Sequence, residues 1–182
     1  MNILAMSGSL RATSSNGAVL HAALDGLDPA LWTVAHATID TLPHFNQDLD
    51  GGDATPHPAV GALRAAVAAA DVLLVVSPEY AHGVPGALKN AIDWLVSSGE
   101  LVDKPTAVIT ASPHPAGGEF AHGQLRETLG MLHAHLVEPA CLRIPLIGTK
   151  VDRESGRVHD EATRAELATA LTALTKAAPQ PR

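Results

Sequence analysis

The sequence predicts a three-layer α/β fold, a parallel sheet of about five strands with helices on both faces. Three observations predict it. Strand-like apolar runs alternate with helical patterns along the chain, with no repeat and no internal linker. Two of those runs, Val72-Leu73-Leu74-Val75-Val76 and Ala107-Val108-Ile109-Thr110-Ala111, are unbroken, as strands buried on both faces must be. Three strands end in loops of small residues, glycine and proline, at one predicted sheet edge. Open α/β sheets bind ligands at the carboxyl ends of their strands.

Taken in order, Asn2 to Met6 reads as the first strand, and Ser15 to Leu27 as the helix that follows it. Thr33 to Thr38 reads as the second strand. The connection from Asp40 to His57, rich in Pro, Gly and Asp, reads as a surface loop able to cover a ligand or a neighbouring subunit. A helix is expected from Pro58 to Ala70 and a strand from Val72 to Ser77. Leu88, Ala91, Ile92, Leu95 and Val96 mark a helix over Pro85 to Ser97. A strand over Thr106 to Ala111 leads to a helix from Gly118 to His133. The fifth strand is placed around Leu136 to Leu142 and the last helix over Asp160 to Ala177. One domain is expected over residues 1–178, with Pro179-Gln180-Pro181-Arg182 as a disordered tail.

The first loop, Gly8-Ser9-Leu10-Arg11-Ala12-Thr13-Ser14-Ser15-Asn16, puts a strand, a small-residue turn and a helix start in the order a phosphate site requires. A helix N-terminus carries N–H groups without intrahelical partners, and its dipole favours an anion. Ser9, Ser14 and Ser15 add hydroxyls, Asn16 an amide, and Arg11 a planar fork suited to phosphate oxygens. The same residues also suit an ordinary capped turn. Neither G-x-G-x-x-G nor G-x-x-x-x-G-K-[ST] occurs, so dinucleotide dehydrogenases and NTPases lose ground. A phosphomonoester such as the tail of flavin mononucleotide (FMN) fits better. The second loop, Ser77-Pro78-Glu79-Tyr80-Ala81-His82-Gly83-Val84-Pro85-Gly86, can offer rigid backbone groups to a flat heteroaromatic ring, or simply form a tight connection. In the third, Ser112-Pro113-His114-Pro115-Ala116-Gly117-Gly118, the glycine pair allows close backbone approach to a ligand or positive φ angles.

Together Gly8-Ser9-Leu10-Arg11…Ser14…Asn16, Pro78-Glu79-Tyr80…His82-Gly83…Pro85-Gly86…Leu88-Lys89-Asn90-Ala91-Ile92-Asp93-Trp94-Leu95 and Ser112-Pro113…Gly117-Gly118 resemble the NADPH-dependent FMN reductase family, flavodoxin-like quinone, chromate and azo-dye reductases. The resemblance implies a strand order of 2-1-3-4-5, bound FMN, NAD(P)H as reductant with NADPH favoured, and a homodimer or homotetramer with flavin sites near subunit boundaries. It implies phosphate contacts from Ser9, Arg11, Ser14, Ser15 and Asn16. The ring would be framed by Pro78, Glu79, Tyr80, Ala81, His82 and Gly83, with Ser112, Gly117 and Gly118 nearby. Two positions depart from the family pattern: Ala81 stands where Asn is usual, and Pro115 stiffens a loop that is usually richer in glycine.

Such a site needs no protein acid, base or nucleophile, because hydride passes through flavin N5. The acceptor would be a quinone, an azo compound, chromate or free flavin, served by a ping-pong mechanism at one shared site. The alternative from another class is a flavodoxin-like electron carrier or redox-sensing module. With 12 basic against 19 acidic residues, the formal charge of −7 argues against nucleic acid and anionic membranes as partners. No apolar run approaches the ~20 residues that span a bilayer, and Cys141, the only cysteine, excludes an internal disulfide; the cytoplasm is the expected compartment. His133 and His135 lie two apart without a ligand set, so no metal is expected. His82 reads as shaping its loop or polarising a substrate oxygen. Arg126 is a candidate partner for Glu79 across a subunit boundary.

Overall fold

The computed structural model describes residues 1–50 and 57–179. Six parallel strands form one sheet: β1 (Asn2–Ser7), β2 (Thr33–His36), β3 (Val72–Ser77), β4 (Pro105–Ala111), β5 (His135–Leu136) and β6 (Leu142–Ile144). Their order is β2-β1-β3-β4-β5, as the sequence resemblance implies, with β6 also on β4. The helices are α1 (Ser15–Leu24), α2 (Pro58–Ala69), α3 (Gly86–Asp93), α4 (Glu119–Met131) and α5 (Glu161–Lys176).

Alternation along the central strands builds the layers. Ile3 and Ala5 of β1, Val72, Leu74 and Val76 of β3, and Ala107 and Ile109 of β4 face a cluster completed by Val19 of α1 and Leu167 and Leu174 of α5. Leu4, Met6, Leu73, Val75 and Val108 point the other way, onto Leu63 and Val67 of α2, Leu88 and Ile92 of α3, and Leu125 and Leu129 of α4. Both faces of β3 and β4 are therefore covered, which explains their unbroken apolar sequences.

The fifth strand differs from the sequence expectation. The run around Leu136 to Leu142 is broken by a 3-10 turn over Glu138–Ala140, leaving β5 and β6 as separate short pairings on β4. Pro139 lies inside that run; it has no N–H to give to a ladder, which is the physical reason for the break. β2 ends at His36 and is exposed along its whole length, as an edge strand. α3 stops at Asp93, four residues before Ser97, with Trp94 as its C-cap.

The first part of the Asp40–His57 connection is strapped to α3. Asn90 accepts from the Phe45 N–H at 2.7 Å and donates to the Pro43 carbonyl at 2.9 Å. The Trp94 indole N–H donates to the same carbonyl at 2.8 Å. Trp94 is buried within its own chain, in edge-to-face contact with Phe45. Asp50 closes the strap through Arg64 at 2.6 Å and Ser97 at 2.7 Å. Burial pushes its carboxyl up, but those two bonds and the Arg64 charge together hold it below the usual carboxylate range. Residues 51–56 of the connection and 180–182 of the tail lie outside the described residues.

Candidate functional site

The carboxyl ends of β1, β3 and β4 bring the three loops together, and glycine makes the closest approach possible. Gly8 donates its N–H to Val76 at 2.8 Å, and a Cβ on it would lie 2.6 Å from the Ser77 hydroxyl. The first loop is thereby packed against the second. The Ser7 hydroxyl accepts the Ser9 N–H at 3.2 Å and donates to the Ser9 carbonyl at 3.1 Å, which turns the chain away from the sheet. Ser14 is the N-cap of α1: extended backbone, its Oγ accepting from the Asn16 N–H at 3.2 Å. Ser15 opens the helix. Asn16 is buried, and its Nδ2 donates to the Ala111 carbonyl at 3.1 Å, tying the first loop to the third.

The first loop has polar groups to spare. With Nδ2 fixed on Ala111, the buried Oδ1 of Asn16 has no hydrogen-bond partner among the described residues. A buried polar atom without a partner costs about 1–3 kcal/mol. The backbone amides of Leu10 to Ser15 likewise find no acceptor among the described residues. Donors at a helix N-terminus suit a phosphate, and the orphaned acceptor suits a sugar-like hydroxyl. These residues fit FMN. Arg11 is exposed and lines a cleft along α1 together with Ser14, Ser15 and Arg153.

The second loop is closed on itself. Tyr80 and Gly83 exchange backbone bonds at 3.0 and 2.9 Å, and the two residues between them, Ala81 and His82, have φ of 48° and 58°. That region favours glycine or asparagine and tolerates histidine, so Ala81 is the residue of this tight turn that resists it. Three contacts hold it in place. Pro78 is buried; Gln124 of α4 accepts from Val84 N–H at 3.2 Å; the His82 ring stacks on Phe120 at 4.5 Å. The Glu79 carboxylate accepts from Phe120 and Ala121 N–H at 2.9 and 3.0 Å and so caps α4 from outside the helix. Tyr80 stays 52% exposed, leaving an aromatic face open beside the loop.

The third loop is shaped by its glycine pair. Gly117 and Gly118 have φ of 66° and 79°, and a Cβ on Gly118 would meet Thr110 at 3.3 Å and Glu79 at 3.4 Å. The Thr110 hydroxyl donates to the Gly117 carbonyl at 2.9 Å, and His122 Nδ1 lies 3.4 Å from the same hydroxyl. Because the Thr110 proton is committed to Gly117, the neutral imidazole is the donor in that second contact. Burial, reinforced by the Arg126 and Arg143 charges, lowers the His122 pKa to about 4. Ser112 is buried, and its Oγ accepts from His114 N–H at 3.2 Å. Pro115 stands exposed on a loop already ordered by Ser112 and His114.

All the residues singled out in the sequence at loops one, two and three therefore lie along one edge of the sheet. Within the chain, Arg126 binds Glu138 at 2.6 Å, while Glu79 serves α4. Sequence reasoning missed Gln124, Thr110 and His122, which hold the loops from behind; none stands in a local pattern that marks it. Cys141 is half-buried, and burial pushes its thiol up, away from nucleophilic character. Among the described residues no group of three or more His, Cys, Asp or Glu is placed to hold a metal ion. No helix among them is long and apolar enough to cross a membrane.

Residues 1–149 match the sequence profile of a family described as NADPH-dependent FMN reductase. A quinone reductase of Escherichia coli (strain K12) is 35% identical over 176 residues, covering 95% of this chain and 93% of the relative. A 2-hydroxy-1,4-benzoquinone reductase of a Burkholderia species is 34% identical over 173 residues, covering 93% of this chain and 91% of the relative. Among solved structures, the flavoenzyme NAD(P)H:(acceptor) oxidoreductase FerB from Paracoccus denitrificans superposes with a TM-score of 0.78 at 27% identity, covering 98% of this chain and 99% of that one.

Proposed function

The chain belongs to the NADPH-dependent FMN reductase family, and on that premise we propose that it reduces quinone-class acceptors by a ping-pong mechanism at a single site. It is an oxidoreductase that uses FMN, with NAD(P)H as the reductant. FMN, held by these loops, would supply the hydride and electron transfer between nicotinamide and acceptor. The protein's part is to bind, orient and polarise. In this reading Ser9, Arg11, Ser14, Ser15 and the amides of the first loop hold the phosphate, and Asn16 receives a hydroxyl through its free Oδ1. Pro78 to Gly83 frame the ring, with Glu79 acting through its backbone because its carboxylate is occupied. Ser112, Gly117 and Gly118 close the third side.

The observation that carries this reading is the orphaned Asn16 Oδ1, a buried acceptor with no partner among the described residues, to which a hydroxyl of bound FMN would donate. The quinone preference draws on the names of the E. coli and Burkholderia relatives. One shared site draws on an open second loop with Tyr80 exposed beside it, where few fixed polar groups discriminate between flat electrophiles. A homodimer or homotetramer fits the exposed Tyr80 and Phe120 next to that loop, and the cytoplasm fits the supply of NAD(P)H.

Stopped-flow mixing of the FMN-loaded protein with NADPH, without acceptor, tests the mechanism. The flavin absorbance should bleach at least as fast as turnover, and double-reciprocal plots with benzoquinone should be parallel. A flavin that stays oxidised until the quinone arrives, or intersecting lines, would overturn the single site. Light scattering at micromolar concentration tests assembly; a monomer of 18.8 kDa would contradict it.

A further inference from the structure

Two contiguous clefts of about 560 and 620 Å³ share Ala18, His21, Ser155 and Gly156 and form one groove along the flank of α1. It starts at Arg11, Ser14 and Ser15 and runs past His21 to Asp25, eleven residues beyond Ser14 and thus ~16 Å along the helix. Its opposite wall is the segment between β6 and α5. There Val151 and Val158 pair as an antiparallel bridge, Asp152 N–H donates to Arg157 at 2.8 Å, and Asp152 takes Ser155 N–H and hydroxyl at 2.7 Å. This hairpin presents Arg153 and Arg157, and Arg164 follows from the first turn of α5.

The cations of this groove are uncommitted. Arg64, Lys89, Lys104, Arg126, Arg143 and Lys150 all bind protein acceptors. Among the described residues, the lysines and arginines with no side-chain hydrogen bond or ion pair are Arg11, Arg153, Arg157, Arg164 and Lys176; all but Lys176 line the groove. The lining also contains Asp25, Asp152 and Glu154, yet none pairs with these arginines, and Asp152 is taken by Ser155. Gathering free guanidinium groups on a chain of formal charge −7 calls for an anion. A single FMN phosphate at the first loop has no use for Arg157 and Arg164 at the far end.

We propose that the far end of this groove is a second phosphate site, which binds the 2′-phosphate of the adenosine half of NADPH through Arg157 and Arg164. The proposal rests on the reading of the chain as an NAD(P)H-dependent enzyme. NADPH and NADH differ only in that phosphate, and planar guanidinium forks are the side chains that recognise it. The arginines are scattered over positions 11 to 164, so no sequence motif announces them; the hairpin and α5 bring them together.

Calorimetric titration of the FMN-loaded protein with 2′,5′-ADP and with 5′-AMP tests the site. Binding of 2′,5′-ADP should be saturable and at least about tenfold tighter than that of 5′-AMP, and Arg157→Ala and Arg164→Ala should each cost about tenfold. Each substitution should also raise the KM for NADPH about tenfold relative to that for NADH. Equal affinity for the two nucleotides, no saturable binding, or equal shifts for both reductants would overturn the proposal. If 2′,5′-ADP binds but does not compete with NADPH, the groove serves a separate nucleotide and the assignment to the reductant is wrong. Should neither reductant bleach the flavin, the functional reading fails, while the titration still decides whether the groove binds phosphate.

Discussion

The first and second loops leave the same sheet edge but are built on opposite principles. The first keeps its polar groups open: Asn16 Oδ1 is buried without a partner, and the amides from Leu10 to Ser15 have no protein acceptor among the described residues. The second spends its groups internally, through the Tyr80–Gly83 exchange, the Gln124 brace and the Glu79 cap, and tolerates two residues in left-handed backbone. One loop is a set of unmet hydrogen bonds, which the proposed function reads as a receptor. The other is a positioned wall whose geometry is fixed before any ligand arrives. Substitutions in the first should therefore change FMN affinity with little effect on the apo fold, and those in the second should do the reverse.

The largest effect is expected at Arg11. If Arg11 holds the FMN phosphate as proposed, Arg11→Ala removes a charge-assisted contact and should weaken FMN binding by one to about two orders of magnitude. Its side chain is exposed and makes no bond among the described residues, so the thermal midpoint of the apoprotein should hold. Fluorescence titration with FMN and thermal melts of both proteins check the pair of expectations. Equal dissociation constants would place the phosphate elsewhere; a large loss of apo stability would break the contrast between the loops.

The open, capped first loop was legible in the sequence, because its pattern is local. A cap, a run of hydroxyls and an arginine follow one strand within nine residues, Gly8 to Asn16. The doubly covered strands β3 and β4 were legible for the same reason, through five consecutive apolar or β-branched residues. The wall half was not. Gln124, Thr110 and His122 act through neighbours brought near by tertiary packing, and nothing in their own sequence neighbourhood marks a brace. Pro139 was different, since a proline inside an expected strand is a local signal that the strand breaks. The sequence also suggests Glu79 for the flavin or for a partner's arginine; within the chain its carboxylate caps the α4 N-terminus, a placement that depends on the angle between loop and helix.

The third loop joins the two designs and should respond to pH. His122 is buried and neutral, with a pKa lowered to about 4 from an ordinary value near 6.5. The unfolded chain then binds a proton that the folded one refuses between those values. Stability from this group is complete above about pH 6.5 and falls as the pH drops toward 4, with a limiting slope of about 1.4 kcal/mol per pH unit. His122→Gln keeps a donor for Thr110 but cannot titrate. The difference in unfolding free energy between wild type and His122→Gln should change over that interval, and a difference independent of pH would refute the assignment.

Glu79 tests the wall through its charge. Glu79→Ala removes the acceptor of two α4 amides at a helix start and should cost about 1–2 kcal/mol, with Glu79→Gln losing less because it keeps an acceptor. Urea unfolding of the apoprotein measures it. FMN affinity should change less than in Arg11→Ala, because the carboxylate faces α4. If Glu79→Ala abolishes flavin binding at unchanged stability, the residue belongs to the receptor and the division between the loops is misplaced.

The smallest and most discriminating expectation concerns Ala81. A methyl side chain at φ 48° is held in a region that costs an L-residue roughly 1–2 kcal/mol, and the neighbouring His82 at φ 58° is held by its stack on Phe120. Glycine relieves that strain but loses more backbone freedom on folding, which offsets roughly 0.5–1 kcal/mol. Ala81→Gly should therefore stabilise the apoprotein by about 0.5–1 kcal/mol, and Ala81→Asn should act in the same direction, since asparagine tolerates this backbone better than alanine. If the wall is preformed, relieving its strain should leave FMN affinity within about twofold of wild type. If affinity instead drops severalfold while stability rises, the strained turn stores energy that flavin binding uses, and the second loop would be a working part of the receptor.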